Sequence, residues 1–512
     1  MRVLIVDIDS LRPDHLGCYG YERDTSPTID EIAASGVRFD NCYASDTPCL
    51  PSRTALLTCR FGAKNGVVTH WGSGQWYEEP GTNVEPDFDR VMAPTHLSRA
   101  GITTATVSIF AQRHLAYHWD GAFRESIQPA GKVGLHNEKY ETNAALQWLD
   151  ANAADDDWVL HVNYWDVHHP YVGIEPFVEE VRESGPAAPW PDEEALEAQQ
   201  GMTGMHCADV WRGPRHYDAD EVEDNRFERG DWQMPMRYRE RADVEQLVDG
   251  YDGGIRKVDT QIARLLEKLE AEGIRDETAI VITGDHGEAL GEHGIYAEHS
   301  MAHPACQNVP LIVDWPGIAD GRAGTAVDEH VYQFDIMATI CDLFGLDLPS
   351  GWDAEPFSAA LRGESFDGRD SLVCGHGIYI YSRAVYKDDW VYIRLLHPGV
   401  FSVPGLYNDS ELPNRGLELL HDLSSDPHMT ENLISEHPEV VAELRGRMDE
   451  WTASVSATED ADGEDPLVKM AATDGPFLYL DPDELIEFYR HNGRSQDQID
   501  AVNRSREFPA RL

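Results

Sequence analysis

Several short stretches of the chain carry residue types that can do chemistry together, and Cys49-Leu50-Pro51-Ser52-Arg53 is the first of them. The apolar run Thr54-Ala55-Leu56-Leu57-Thr58 follows at once, and Pro51 suits a first helical turn, so the spacing predicts a helix opening at the cysteine. A helix N-terminus offers unpaired N–H groups and partial positive charge, which favour both an anionic nucleophile and an anionic substrate. Attack on a sulfate or phosphate ester is the chemistry that follows. Taken alone, a cysteine ahead of a helix is more often a small buried residue, so the other stretches must decide.

Those stretches sit at predicted strand ends. Val3-Leu4-Ile5-Val6 has the apolar continuity of a strand buried on both faces, and it runs into Asp7-Ile8-Asp9. Carboxylates there are either ligands at the edge where open α/β sheets bind, or caps of the next helix. Thr278 to Thr283 has the same continuity and ends in Gly284-Asp285-His286-Gly287-Glu288, where a carboxylate beside an imidazole suits a divalent cation. Two further strands, Thr103 to Ile109 and Trp158 to Trp165, lead into Gln112-Arg113-His114 and Asp166-Val167-His168-His169-Pro170. A histidine in such a place is ordinarily a hydrogen-bonded polar residue.

In this order the stretches resemble the sulfatase family of the alkaline phosphatase superfamily. Cys-x-Pro-Ser-Arg is similar to the signature whose cysteine is converted to formylglycine, an aldehyde whose hydrate is the nucleophile, although Cys59 occupies a position where the family usually has Gly. Thr-x-Asp-His-Gly-Glu resembles the second metal-binding motif of sulfatases and of the related phosphonate monoester hydrolases. The resemblance implies that Asp9, Asp285, His286 and the oxygen at position 49 hold a divalent metal, Ca²⁺ first and Mn²⁺ or Mg²⁺ as alternatives, because the ligands are mainly oxygen. It implies that Arg53 holds the hydrate, His168 protonates the leaving alcohol and His114 takes the remaining proton, with His169 behind His168. Ser10 falls where many members have a second Asp. Gln112 falls on a sulfate-binding lysine, leaving the charge to Arg113. A second such lysine aligns near Glu298, leaving His299 or His303 to bind the anion when protonated, with Lys387 within reach from further along the chain.

The elements that must position these residues predict an α/β fold: a large, mainly parallel sheet sandwiched by helices, alkaline phosphatase-like by resemblance, with a smaller antiparallel C-terminal domain. The expected organisation is a catalytic domain over 1–365, a small domain over 366–453 and an acidic extension over 454–512. Within the first, 173–239 loses its pattern and is expected to be an insertion, a lid or a solvated excursion. Helices are expected near 138–153 and 242–272, the second with an apolar stripe broken by Gly250, Gly253 and Gly254.

Composition narrows the partners. The 512 residues include 92 acidic and 41 basic ones, a formal charge of -51, and only seven of the basic residues are lysines. Such a field repels nucleic acid and anionic membranes, and an acid-rich, lysine-poor surface suits solubility in concentrated salt, so a halophilic protein is expected. The eight cysteines show no CxxC spacing, no signal-like segment precedes the first strand, and no apolar run reaches membrane-spanning length. The expectation is a cytoplasmic sulfatase acting on a small-molecule or saccharide sulfate ester, served by a formylglycine-generating maturase. Alternatives are a phosphonate monoester or phosphodiester hydrolase on the same site, a phosphotransferase or mutase, against which Cys49 argues, and a degenerate binding protein, for which Gln112 and Glu298 argue.

Overall fold

The computed structural model describes residues 1–77, 88–129, 138–169, 171, 174–200, 234–235, 238–399, 417–456, 464–473, 475–478, 481–491 and 495–506. The first predicted strand forms as Arg2–Ile8, buried along its whole length, inside an eight-stranded sheet. Across the sheet the order is Thr325–Val327, Val37–Phe39, Leu311–Asp314, Thr278–Gly284, Arg2–Ile8, Trp158–Tyr164, Thr103–Val107 and Glu125–Ile127. Leu311–Asp314 runs antiparallel to both neighbours and the other pairings are parallel.

Register then places the chemistry. Ile8 pairs with Gly284 on one side and Tyr164 on the other. The three strand tips are level, so Asp9, Asp285 and the segment from Trp165 leave the sheet at one edge. Alternation along Arg2–Ile8 sends Leu4, Val6 and Ile8 into a core with Ile29, Ile32 and Val258, and sends Val3 and Ile5 into a second core with Leu56 and Met337. Asp7 and Asp9 share the parity of Val3 and Ile5, which points them at the Cys49–Thr58 helix that carries Leu56.

The long helix is Arg241–Ala271, preceded by Glu138–Asn152 against the same face. Its glycines allow close approach: a Cβ at Gly253 would stand 2.9 Å from Val178 Cγ2, and one at Gly254 would stand 2.9 Å from Val167 Cγ1.

Past 366 the four strands Leu372–Ile378, Ile380–Lys387, Trp390–His397 and Glu418–Asp422 pair antiparallel, as expected. The sheet also takes a fifth strand from the N-terminal part: Asp46–Thr47 pairs with Gly375 and His376 just ahead of Cys49. Two regions hold helices that the sequence pattern did not show. Within 173–239 the chain forms helices Glu175–Ser184 and Glu193–Gln200, the first packed on Arg241–Ala271 through Val178; Trp211 and Trp232 lie outside the described residues. The supposed extension forms Pro466–Ala472, Pro482–His491 and Gln496–Arg506, and buries Leu467, Met470, Leu485, Ile486, Phe488 and Val502 in the C-terminal cores. Acidic residues on the outer faces hid that stripe in the sequence. The seven described cysteines are free, and among the described residues no helix is long and apolar enough to cross a membrane.

Candidate active site

Cys49 is the first residue of the Cys49–Thr58 helix, all ten of whose side chains are buried. Its end is tied down by Ser52 N–H, which donates to the Pro48 carbonyl at 3.0 Å, and by Leu50 N–H, which donates to His70 Nε2 at 3.2 Å. The helix ends on Cys59 in a left-handed conformation (φ 54°, ψ 31°), which accounts for a preference for Gly at that position. Arg53, one turn beyond Cys49, lies on the same face.

The Arg53 guanidinium is wholly buried. Its Nε and Nη2 donate to Asp7 at 2.8 and 3.2 Å, and Nη1 donates to Asp9 at 2.9 Å and to Asp285 at 2.6 Å. Three carboxylates around one guanidinium leave two negative charges uncompensated, the balance a divalent cation would restore. Burial pushes the Asp9 and Asp285 carboxyls up against the pull of Arg53. For Asp7 burial acts the same way, but Arg53 and His161 outweigh it and hold the group at about 2. Asp7, given no role by the sequence, accepts two of these four Arg53 bonds. Ser10, in place of a second Asp, donates its hydroxyl to Asp9 Oδ1 at 3.1 Å and its N–H to Asp285 Oδ1 at 3.2 Å.

His286 completes the pocket. Its Nδ1 donates to the Gly287 carbonyl at 2.8 Å, which leaves the Nε2 lone pair toward Cys49 Sγ at 3.0 Å, Asp285 Oδ2 at 3.4 Å and Asp9 Oδ1 at 3.7 Å. One ligand atom each from Asp9, Cys49, Asp285 and His286 lies within 4.8 Å of the others. The charge balance and the His286 tautomer both fit a cation here. Burial, with Asp9 and Asp285 adding to it, pushes the Cys49 thiol well above its usual value, so the unmodified sulfur is a poor anion.

Two further imidazoles, His168 and His299, stand beside Cys49. His168 Nδ1 donates to the His169 carbonyl at 2.6 Å, and burial together with His169 keeps the ring neutral, leaving Nε2 as an open lone pair. Cys49, His168 and His299 form a group whose ligand atoms lie within 4.8 Å of one another. His299 is the exception in charge: burial would lower it, but Glu288 and Glu298 hold it up at about 9. Glu288, the last residue of the second motif but given no role by the sequence, faces His169 at 3.4 Å and His299 at 3.5 Å with its carboxylate. Gln112-Arg113-His114 lies on the short helix Phe110–His114 instead of at a strand end. Gln112 is exposed and bonds Gln128, while the Arg113 guanidinium lies 3.3 Å from the centre of the Trp165 ring. His114 packs its ring 4.7 Å from His70, and burial, then His70, pushes it well below its usual value. His70 sits in no motif and the sequence held no signal for it.

Two expected contributors are elsewhere. His303 faces Cys306 Sγ at 3.4 Å and the ring of His293 at 5.6 Å, and burial brings it down to about 3. Lys387 ends its strand with its ammonium on Asp388 at 2.6 Å and Glu443 at 3.8 Å, so it is taken up by the C-terminal region's own acids.

A comparison with protein families matches residues 2–346 to the sulfatase model, a span that holds every residue of this pocket. The chain belongs to the sulfatase family. It is 22% identical to an arylsulfatase of Clostridium perfringens over 88% of this chain and 96% of that protein. It is 23% identical to an N-acetylglucosamine-6-O-sulfatase of Bacteroides thetaiotaomicron over 91% of this chain and 89% of the other. The fold is similar to that of the phosphonate monoester hydrolase of Agrobacterium radiobacter, with a TM-score of 0.62 and 19% identity over 89% of this chain and 95% of that one. The alkaline phosphatase-like architecture is thus common to sulfatases and their phosphonate-cleaving relatives, and the side chains around position 49 must carry the distinction.

Proposed function

We propose that this sulfatase hydrolyses sulfate monoesters of a sugar or another small alcohol at Cys49, converted to formylglycine by a maturase. The observation that carries the reading is Cys49 at the N-terminus of a buried helix, against His286 and within one pocket with Asp9, Asp285 and Arg53. Asp9, Asp285, His286 and the modified residue 49 would hold the cation, Ca²⁺ first and Mn²⁺ or Mg²⁺ next. That cation supplies Lewis acidity toward the sulfuryl oxygens, and the modified side chain supplies a hydroxyl nucleophile. Arg53 orients that hydroxyl and balances Asp7, Asp9 and Asp285. The attacking hydroxyl would give up its proton as its oxygen bonds sulfur. His168, with Nε2 open, would deliver a proton to the leaving oxygen as the ester S–O bond breaks, and His114 would remove the proton from the second hydroxyl as the carbon–oxygen bond to sulfate breaks and the aldehyde re-forms. Arg113 and His299 offer positive charge to the anion. The sugar-sulfatase relative supports a saccharide ester.

A second reading, phosphonate monoester or phosphodiester hydrolysis, is supported by the fold similarity and by Gln112 and Glu298 standing where sulfatases usually have sulfate-binding lysines. Mass spectrometry of the Cys49 peptide from protein made in its native host tests the nucleophile, and an aldehyde form that reacts with hydrazides is expected. An alkylatable thiol in all of the protein would remove the formylglycine mechanism. Rates on 4-nitrophenyl sulfate against phenyl phosphonate esters then separate the two readings, with a higher kcat/KM on sulfate expected.

A further inference from the structure

Glu298 occupies the place where the family usually has an anion-binding lysine, and the structure surrounds it with a second group of metal-ligating side chains. Glu288 follows the tip of Thr278–Gly284, His169 follows Trp158–Tyr164, and His299 lies next to Glu298; all are buried. One ligand atom each from His169, Glu288 and His299 lies within 4.8 Å of the others. Glu288 Oε2 is 3.4 Å from His169 Nδ1, and Glu288 Oε1 is 3.5 Å from His299 Nδ1. Both separations are longer than the about 2.7–2.9 Å of a good charge-assisted hydrogen bond, and they suit donor atoms gathered round one small ion.

We propose that His169, Glu288 and His299 bind a second divalent cation beside the one assigned to Asp9, Asp285 and His286. Two imidazoles and one carboxylate suit the borderline ion Zn²⁺, or Mn²⁺ with waters completing its shell, in preference to Ca²⁺. Glu298 Oε1, 3.8 Å from His169 Nε2, faces the far nitrogen of that ring and orients it as outer carboxylates orient ligating histidines. The ion would sit next to the nucleophile: His299 also groups with Cys49 and His168, and its ring centre is 4.2 Å from that of His286. It would give the sulfuryl oxygens the positive charge that the lysine gives elsewhere, replacing the proton that His299 carries when no ion is bound. This role rests on the sulfatase reading; binding of the ion does not.

The test is metal stoichiometry in the full-length protein, equilibrated with Zn²⁺ or Mn²⁺, freed of excess ion and measured by inductively coupled plasma mass spectrometry. The wild type is expected to hold two ions per chain, Glu288→Gln and His169→Asn one each, and Asp285→Asn to lose the other, with circular dichroism confirming that each is folded. One ion in the wild type, unchanged in Glu288→Gln, overturns the proposal. Co²⁺ titration of the wild type, followed by its visible absorption, decides the matter without a variant: a rise to two equivalents supports the second site and saturation at one refutes it. Stoichiometry is read without turnover, so failure of the sulfatase reading shows separately, as an unmodified Cys49 or no sulfate ester hydrolysis.

Discussion

Arg53 shows how one side chain can be both legible and misread. Its place four residues after Cys49 is plain in the sequence, but its partners are not, because Asp7 resembles a bystander until strand parity puts it on the helix-facing side. Removing the guanidinium strands Asp7, Asp9 and Asp285 together in a buried pocket. Arg53→Ala is expected to lower the unfolding free energy by about 3–5 kcal/mol, the cost of leaving buried charge unpaired, read as a drop in the denaturant midpoint. Asp7→Asn is expected to reduce kcat with little change in KM, since Asp7 touches Arg53 and not the substrate pocket's open side. Glu141 provides a pH test away from the nucleophile. Burial, with Asp166 and Glu138 adding to it, pushes its carboxyl up to about 8, and its Oε2 has no hydrogen-bond partner. The folded protein therefore holds this proton more tightly than the unfolded chain. The stabilising contribution is complete below the unfolded value near 4.5 and is lost as pH rises through about 8. The Tm of Glu141→Gln minus that of the wild type is expected to grow between pH 5 and pH 9, and a constant difference would contradict the assignment.

The secondary-structure elements were largely legible from their apolar runs, and their registers were not. Arg2–Ile8, Trp158–Tyr164 and Thr278–Gly284 each announce a buried strand, but only the pairing of Ile8 with Gly284 and Tyr164 levels their tips and brings Asp9 beside Asp285. The amphipathic helices after 464 were hidden because their outer faces carry the chain's acidic excess. Glycines in Arg241–Ala271 look like defects in a helix, yet Gly254 is what admits Val167, one residue before His168. Gly254→Ala gains up to about 1 kcal/mol in helix propensity. The stiff, β-branched Val167 at 2.9 Å cannot yield easily, so overpacking of about 1–3 kcal/mol outweighs that gain. A lower Tm and a reduced kcat are expected together, because the shift is passed to His168.

At the scale of the molecule, the C-terminal sheet does more than append a domain. By taking Asp46–Thr47 as its fifth strand it grips the two residues that lead into the nucleophile helix, and its core includes Ala55 from that helix. The net charge of -51 acts over the same whole. Raising KCl from about 0.1 M to about 1 M shortens the Debye length from about 10 Å to about 3 Å and quenches that self-repulsion. Thermal unfolding in a KCl series is expected to show Tm rising throughout this range, and a Tm that is flat or falls would contradict a halophilic surface.

The family and the fold class are determined by the sequence itself, which also singles out Asp9, Cys49, Arg53, Asp285 and His286 as candidates, because short motifs at strand ends carry residue type and local spacing together. Tertiary structure alone decided that Asp7 holds Arg53, that His70 takes the Leu50 N–H, that His299 and not His303 meets Cys49, and that Lys387 is spent on Asp388 and Glu443. Each of those depends on the distance between residues far apart in the chain, which is set by strand register and helix packing and leaves no local pattern to read.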